Sequence, residues 1–190
     1  MTSKIALLAT LLIAAALPGN ASPASRESVD TKVVARVSGR PISAQAVALR
    51  AQVVRQVRQI ELPAAEQEAL TQLVREESLL ALAEQEGVVV PVDTVRNEIA
   101  QMRSLAETAP DEDTQQVFAK AAEQYGLTAE AFVNDPRVVA AYQRAFTIAE
   151  MRQRLARRFD VPLTDDAALD GKIDALTKSS GIRVERNRQQ

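Results

Sequence analysis

Residues 32–37, Lys-Val-Val-Ala-Arg-Val, form a short β-branched run that closes on Ser38-Gly39-Arg40-Pro41, which is turn chemistry. Its counterpart lies at the other end of the chain, where Ile182-Arg183-Val184-Glu185-Arg186 alternates like a strand. A lone short strand leaves its main-chain donors and acceptors unpaired, so the two runs are expected to pair with each other, parallel or antiparallel. That pairing closes the chain on itself. It docks the last helix against the first half and leaves the intervening helices free to extend as an arm.

Working outward, everything between the two runs reads as helix and loop. Ser43 is an N-cap, and Ala46, Leu49, Val53, Val57 and Ile60 recur at helical steps that put them on one core face. Pro63 suits a helix start. Residues 64–86 form the longest periodic stretch, with Leu70, Leu73, Val74, Leu80 and Ala81 toward a core and Gly87 as the stop. Asp93 is expected to cap a helix over 94–107. Further helices are expected over 114–125, 128–133, 136–159 and 165–178, the last capped by Thr164. The fold class is all-α, mainly helical, with one short two-stranded sheet joining the two ends.

Before the fold comes a separable leader. Lys4, the apolar run from Ile5 to Leu17 and the small residues around Ala21 have the pattern of a signal peptide over residues 1–21, with cleavage after Ala21 or Ala24. The run of 13 residues is too short to span a bilayer, which takes about 20. The protein is therefore expected to be exported, to the periplasm or outside the cell, with no stable membrane insertion. Residues 22–31 read as a flexible linker, 32–186 as the folded domain, and 187–190 as a disordered tail.

Composition removes whole classes of chemistry. Across 190 residues there is no histidine, no cysteine and no tryptophan. Imidazole catalysis, thiolate catalysis and the usual zinc sites are thereby excluded. The net charge of −2 supplies no field for nucleic acid. Neither a phosphate-cradling glycine loop nor an EF-hand loop occurs, so no cofactor is expected.

The order of elements resembles the N-terminal domain of SurA-like periplasmic chaperones. Val33-Val-Ala-Arg-Val-Ser-Gly-Arg-Pro-Ile-Ser43 is similar to the strand, turn and helix start that open that domain, with Ser38 where asparagine is usual. Leu70-Thr-Gln-Leu-Val-Arg-Glu-Glu-Ser-Leu-Leu-Ala-Leu-Ala-Glu-Gln-Glu-Gly-Val-Val-Val-Pro91, Asp93-Thr-Val-Arg-Asn-Glu-Ile99 and Tyr125-Gly-Leu-Thr-Ala-Glu-Ala-Phe132 match further segments in the same order. Many members carry a parvulin-type prolyl isomerase domain before the closing helix and strand. Here Phe159-Asp-Val-Pro-Leu-Thr164 leads straight into that helix. The resemblance implies a chaperone module without the isomerase, related in form to the client-binding part of trigger factor.

What it implies about function is an ATP-independent holdase for unfolded or nascent exported polypeptides, not an enzyme. The alternative is a non-catalytic assembly subunit that binds one folded partner, such as a separate isomerase. Met102, Leu105, Phe118, Phe132 and Met151 are candidates for a client groove, since thioethers and aromatics suit adaptable apolar recognition; their helical spacing suits core packing equally. The acids Glu76-Glu77, Asp111-Glu112-Asp113 and Asp165-Asp166 read as solvated faces or helix starts, because helix neighbours diverge by about 100° and do not converge on a substrate. Glu77, on an apolar face, is expected to bridge to an arginine. Lys178-Ser179-Ser180 lies at a helix end without a nucleophile elbow. The arginines at 152, 154, 157 and 158 suit either an acidic partner or the C-terminal helix dipole.

Overall fold

A computed structural model describes residues 32–187. Strands β1 (Val33–Val37) and β2 (Arg40–Ser43) form an antiparallel hairpin. Its two turn residues, Ser38 and Gly39, both have positive φ (47° and 84°), the backbone that a two-residue hairpin on right-twisted strands requires. The expected turn is present, but the chain does not pass straight from it into a helix. Arg40 and Ile42 first turn back along β1, opposite Val37 and Ala35. Strand β3 (Val184–Arg186) pairs with the other side of β1, antiparallel, in the order β2-β1-β3. The two ends of the chain do zip together, in a sheet of three strands where two were expected. Asn187, assigned by sequence to a frayed tail, donates its main-chain N–H to Val34 O and its side-chain amide to Val33 O.

Seven helices follow among the described residues: α1 (Ala44–Arg58), α2 (Leu62–Gln85), α3 (Val92–Glu107), α4 (Glu112–Gln124), α5 (Ala129–Asn134), α6 (Pro136–Phe159) and α7 (Asp166–Ser179). Ser43 Oγ accepts from Ala46 N–H at 3.1 Å, as its N-cap role requires. Two other caps differ from expectation. Pro91, without a side-chain cap bond, precedes α3, and Asp93 lies inside its first turn. Asp165, not Thr164, caps α7 by accepting from Ala168 N–H at 3.0 Å. The carboxylate one residue closer to the helix wins that place. α4 begins two residues early because Asp111 caps it, accepting from Thr114 N–H.

Four helices end in the same way. Val88, Leu127, Val161 and Ile182 each donate N–H to the carbonyl five residues back, with the intervening residue at positive φ. At three of these ends that residue is glycine. At the fourth it is Asp160, φ 52°, which the sequence does not signal. The residue after each turn is apolar and is buried or packed against a core.

The described residues divide into two compact units. The sheet unit comprises residues 32–89 and 147–187; the inserted unit is Val90–Phe146. In the sheet unit, Ala35, Val37 and Ile42 from the sheet meet Leu73, Leu79 and Leu82 of α2, Met151 and Leu155 of α6, and Leu169 and Ile173 of α7. Each fully buried leucine there contributes about 1.5–3 kcal/mol over its exposed state. A satellite cluster of Ala51, Val54, Ala65 and Ala69 holds α1 against α2. The core face of α1 is thus Val47, Ala51 and Val54; of the expected file, Ala46 packs against the main core and Ile60 against this cluster, while Val53 and Val57 belong to neither. Val57 is 74% exposed.

Charged side chains tie the sheet unit at its margins. Arg40, on the helix-facing side of β2, reaches Glu77 Oε2 at 3.8 Å and also pairs with Glu84. Glu77 is buried, and the expected bridge to an arginine is present. Arg50 holds Glu76 at 2.7 Å, while Asp170 of α7 takes Arg75 at 2.6 Å and Arg152 at 2.9 Å. In the inserted unit α3, α4 and α5 with the start of α6 enclose Val95, Ile99, Phe118, Phe132, Val138 and Tyr142.

Candidate binding surface

The five sequence candidates fall in different units. Met151 is fully buried in the sheet unit, while the other four belong to the inserted unit. Phe118 and Phe132 are core: their rings meet edge to face at 6.2 Å, and Tyr125 meets Phe132 at 5.4 Å. Their apolar surface is already spent on each other, so as folded they line no groove. Met102 is half-buried and packs against the same core. Only Leu105, 52% exposed, offers most of its side chain to solvent.

Leu105 is set there by the phase of α3. Val95, Ile99 and Ala106 face the core, and Leu105 falls about 100° from them, on the flank beside Met102. The opposite flank of α3 carries a shallow recess of about 250 Å³, lined by Ala100, Arg103, Ser104 and Glu107 with Glu130, Val133 and Asn134 of α5. Arg103 Nε donates to Glu107 Oε1 at 2.7 Å across its rim. Val133 supplies its buried floor.

The sheet unit exposes two apolar side chains at the α1–α2 connection. Val57 stands 74% exposed just before α1 ends, and Leu62 is 42% exposed where α2 begins. Gln59 turns the chain there with φ 53°, and Arg58 bonds Glu68 at 3.0 Å beside them. The sequence reading missed this pair because it placed Val57 on the core face. The alanines at 51, 65 and 69 were the available signal: helices meeting on alanine approach closely and leave larger neighbours outside.

Electrostatics set two side chains apart. The Arg137 guanidinium, at 2.9 Å, holds the Asp135 carboxyl below its usual range, and it also stands 5.6 Å over the Tyr125 ring. Burial raises the phenol of Tyr142, whose Oη has no hydrogen-bond partner among the described residues. The acid runs have structural partners: Glu76 with Arg50, Asp166 with Arg152, and Asp111 and Asp165 as helix caps. The arginine cluster disperses likewise. Arg152 turns to Asp166 and Asp170, Arg154 to Glu150, and Arg158 to Glu86. Among the described residues no group of three acidic side chains could hold a metal, and no helix is long and apolar enough to cross a membrane.

Comparison with known families matches residues 1–146 to the family described as the SurA-like N-terminal domain. It takes in the hairpin, α1 to α5 and the start of α6. No curated protein and no solved structure matches the chain.

Proposed function

We propose, from the premise that this chain belongs to the SurA-like N-terminal domain family, that it is an exported, nucleotide-independent holdase. It takes hold of apolar segments of unfolded secreted or envelope proteins and releases them without bond chemistry. The observation that carries this reading is the exposure of Val57 and Leu62 on either side of one helix connection, with Arg58 and Glu68 beside them. A reversible binder of unfolded chains needs apolar groups left outside its own core and charge around them to stay dissolved. Leu105 supplies a smaller site of the same kind on the inserted unit. Residues 1–21, outside the described residues, carry the signal-peptide pattern that supports export.

The test is suppression of aggregation. Purified protein without ATP should slow light scattering by several unrelated unfolded clients at near-stoichiometric ratio, and Val57→Asp with Leu62→Asp should weaken that protection while the circular dichroism spectrum stays unchanged. Protection of no client, with capture of one native protein from the same compartment, would make the chain an assembly subunit instead. Export is read separately, from the amino terminus of the secreted product.

A further inference from the structure

The two edges of the small sheet are unlike. On β2 the outward position is Pro41, opposite Arg36, and a proline has no N–H to offer a neighbour. That edge is blunted. On β3 the hydrogen bonds from Ser38 N–H to Arg183 O and from Asn187 N–H to Val34 O fix which residues face β1. In an antiparallel ladder bonded residues alternate, so Arg183, Glu185 and Asn187 point their main chains at β1, and Val184 and Arg186 point theirs outward. Among the described residues no strand pairs with that edge, and all three residues of β3 are exposed, Val184 by 37%.

The sequence of this edge is complementary to itself. Laid antiparallel against an identical strand about Val184, it brings Val184 opposite Val184 in a bonded pair and Arg183 opposite Glu185 on both sides of the axis. The neighbouring registers are repulsive at their centres, setting Arg183 against Arg183 or Glu185 against Glu185. We propose that two copies of this chain pair through β3 in the Val184-centred register, joining their sheets across a two-fold axis. The axis gives two hydrogen bonds between the Val184 main chains, and each Arg186 N–H meets the Ile182 carbonyl of the second copy. The interface is isologous, as a two-fold demands. It involves neither Val57 nor Leu62 and does not depend on the holdase reading.

The register makes a charge-complementation test possible. Sedimentation equilibrium of the purified protein should show a monomer–dimer equilibrium. Arg183→Glu alone, or Glu185→Arg alone, sets like charges opposite each other and should raise the dimer dissociation constant about tenfold. Mixing the two variants restores both opposite-charge pairs and should give a 1:1 heterodimer at the wild-type concentration. That recovery also shows both variants folded. A monomer at every concentration, or a dimer indifferent to these swaps, overturns the proposal. So does a β3 edge that binds extended unfolded peptides while the protein stays monomeric.

Discussion

Arg75 on α2 and Asp170 on α7, 95 positions apart in sequence, lie 2.6 Å from each other. Asp170 is shared: Arg152 of α6 donates to its other oxygen at 2.9 Å, and Arg75 also takes Asp174 through two further bonds. One carboxylate therefore joins three helices at the margin of the core that holds Leu169 and Ile173. The hydrogen bond that Arg75 donates to Asp174 is the largest influence on the guanidinium and raises its affinity for a proton, against the effect of burial. Both Arg75 and Asp170 are largely withdrawn from solvent.

Removing Arg75 should therefore cost more than loss of an ordinary surface pair. Arg75→Met is expected to lower unfolding free energy by about 1–3 kcal/mol, since it strips two carboxylates of a charged donor. Denaturant titration measures this, and a double-mutant cycle with Asp170→Asn should show the two effects to be non-additive. Additive effects would mean the pair is not energetically coupled.

Core and surface candidates should separate sharply. Phe132→Ala removes a ring that touches both Phe118 and Tyr125 and should destabilise by about 3–5 kcal/mol. Leu105→Ser, on an exposed flank, should change stability by about 0.5 kcal/mol or less. If both variants unfold at the same denaturant concentration, Phe132 is not the core residue described above.

Tyr142 carries a phenol oxygen into an apolar core without a hydrogen-bond partner among the described residues. Tyr142→Phe keeps the ring, and its edge contact with Phe146 at 5.9 Å, while deleting the desolvated hydroxyl. A gain of about 1 kcal/mol is expected, within the usual cost of an unsatisfied buried polar group. A loss of stability on substitution would reveal a partner for that oxygen.

Backbone substitutions give gains of similar size. Gly171 sits inside α7, where an added Cβ meets nothing within 4 Å, so Gly171→Ala should stabilise by about 0.5–1 kcal/mol. Asp160 ends α6 with φ 52°, and Asp160→Gly relieves that conformation. Thermal melts of the two single variants and the pair should show independent, additive increases.

Asp135 sets a pH dependence. Arg137 depresses its folded pKa, so its contribution to stability is complete above the unfolded value of about 3.9 and is lost as pH falls through the lower, folded one. The melting temperature of Asp135→Asn should accordingly fall less than that of the wild type between pH 5 and pH 2. Parallel curves for the two proteins would remove Asp135 from the account of acid sensitivity.

Local signals carried much of this. The β-branched runs at the two ends, the Ser43 cap and the stops at Gly87, Gly126 and Gly181 are each a short-range fact, written in residues next to one another. The family likeness rests on the same kind of signal, and residues 1–146 match the family. Periodicity alone was a weaker guide to which face of α1 is buried. Val53 and Val57 satisfy helical spacing as well as Val47, Ala51 and Val54 do, and only the approach of α2 on its alanines decides between them.

The candidate site shows the same division. An apolar residue on a helix must be covered by something, and sequence says neither by what nor whether it is. Phe118, Phe132 and Met151 found partners inside the fold, Leu105 and Val57 did not, and no pattern local to those residues distinguishes the two outcomes.

By itself the sequence determined the helical class, the meeting of the two strand runs, the absence of imidazole and thiol chemistry, and the order of the helices. These follow from propensity, caps and composition, which act over a few residues. Tertiary structure alone decided that Ala35 and Val37 bond to β2 while Arg36 bonds to β3, leaving one edge blunted by Pro41 and the other open at Val184. It alone put Asp170 between Arg75 and Arg152. Hydrogen-bond direction in a ladder and the convergence of distant helices depend on register and packing, which are properties of the whole chain.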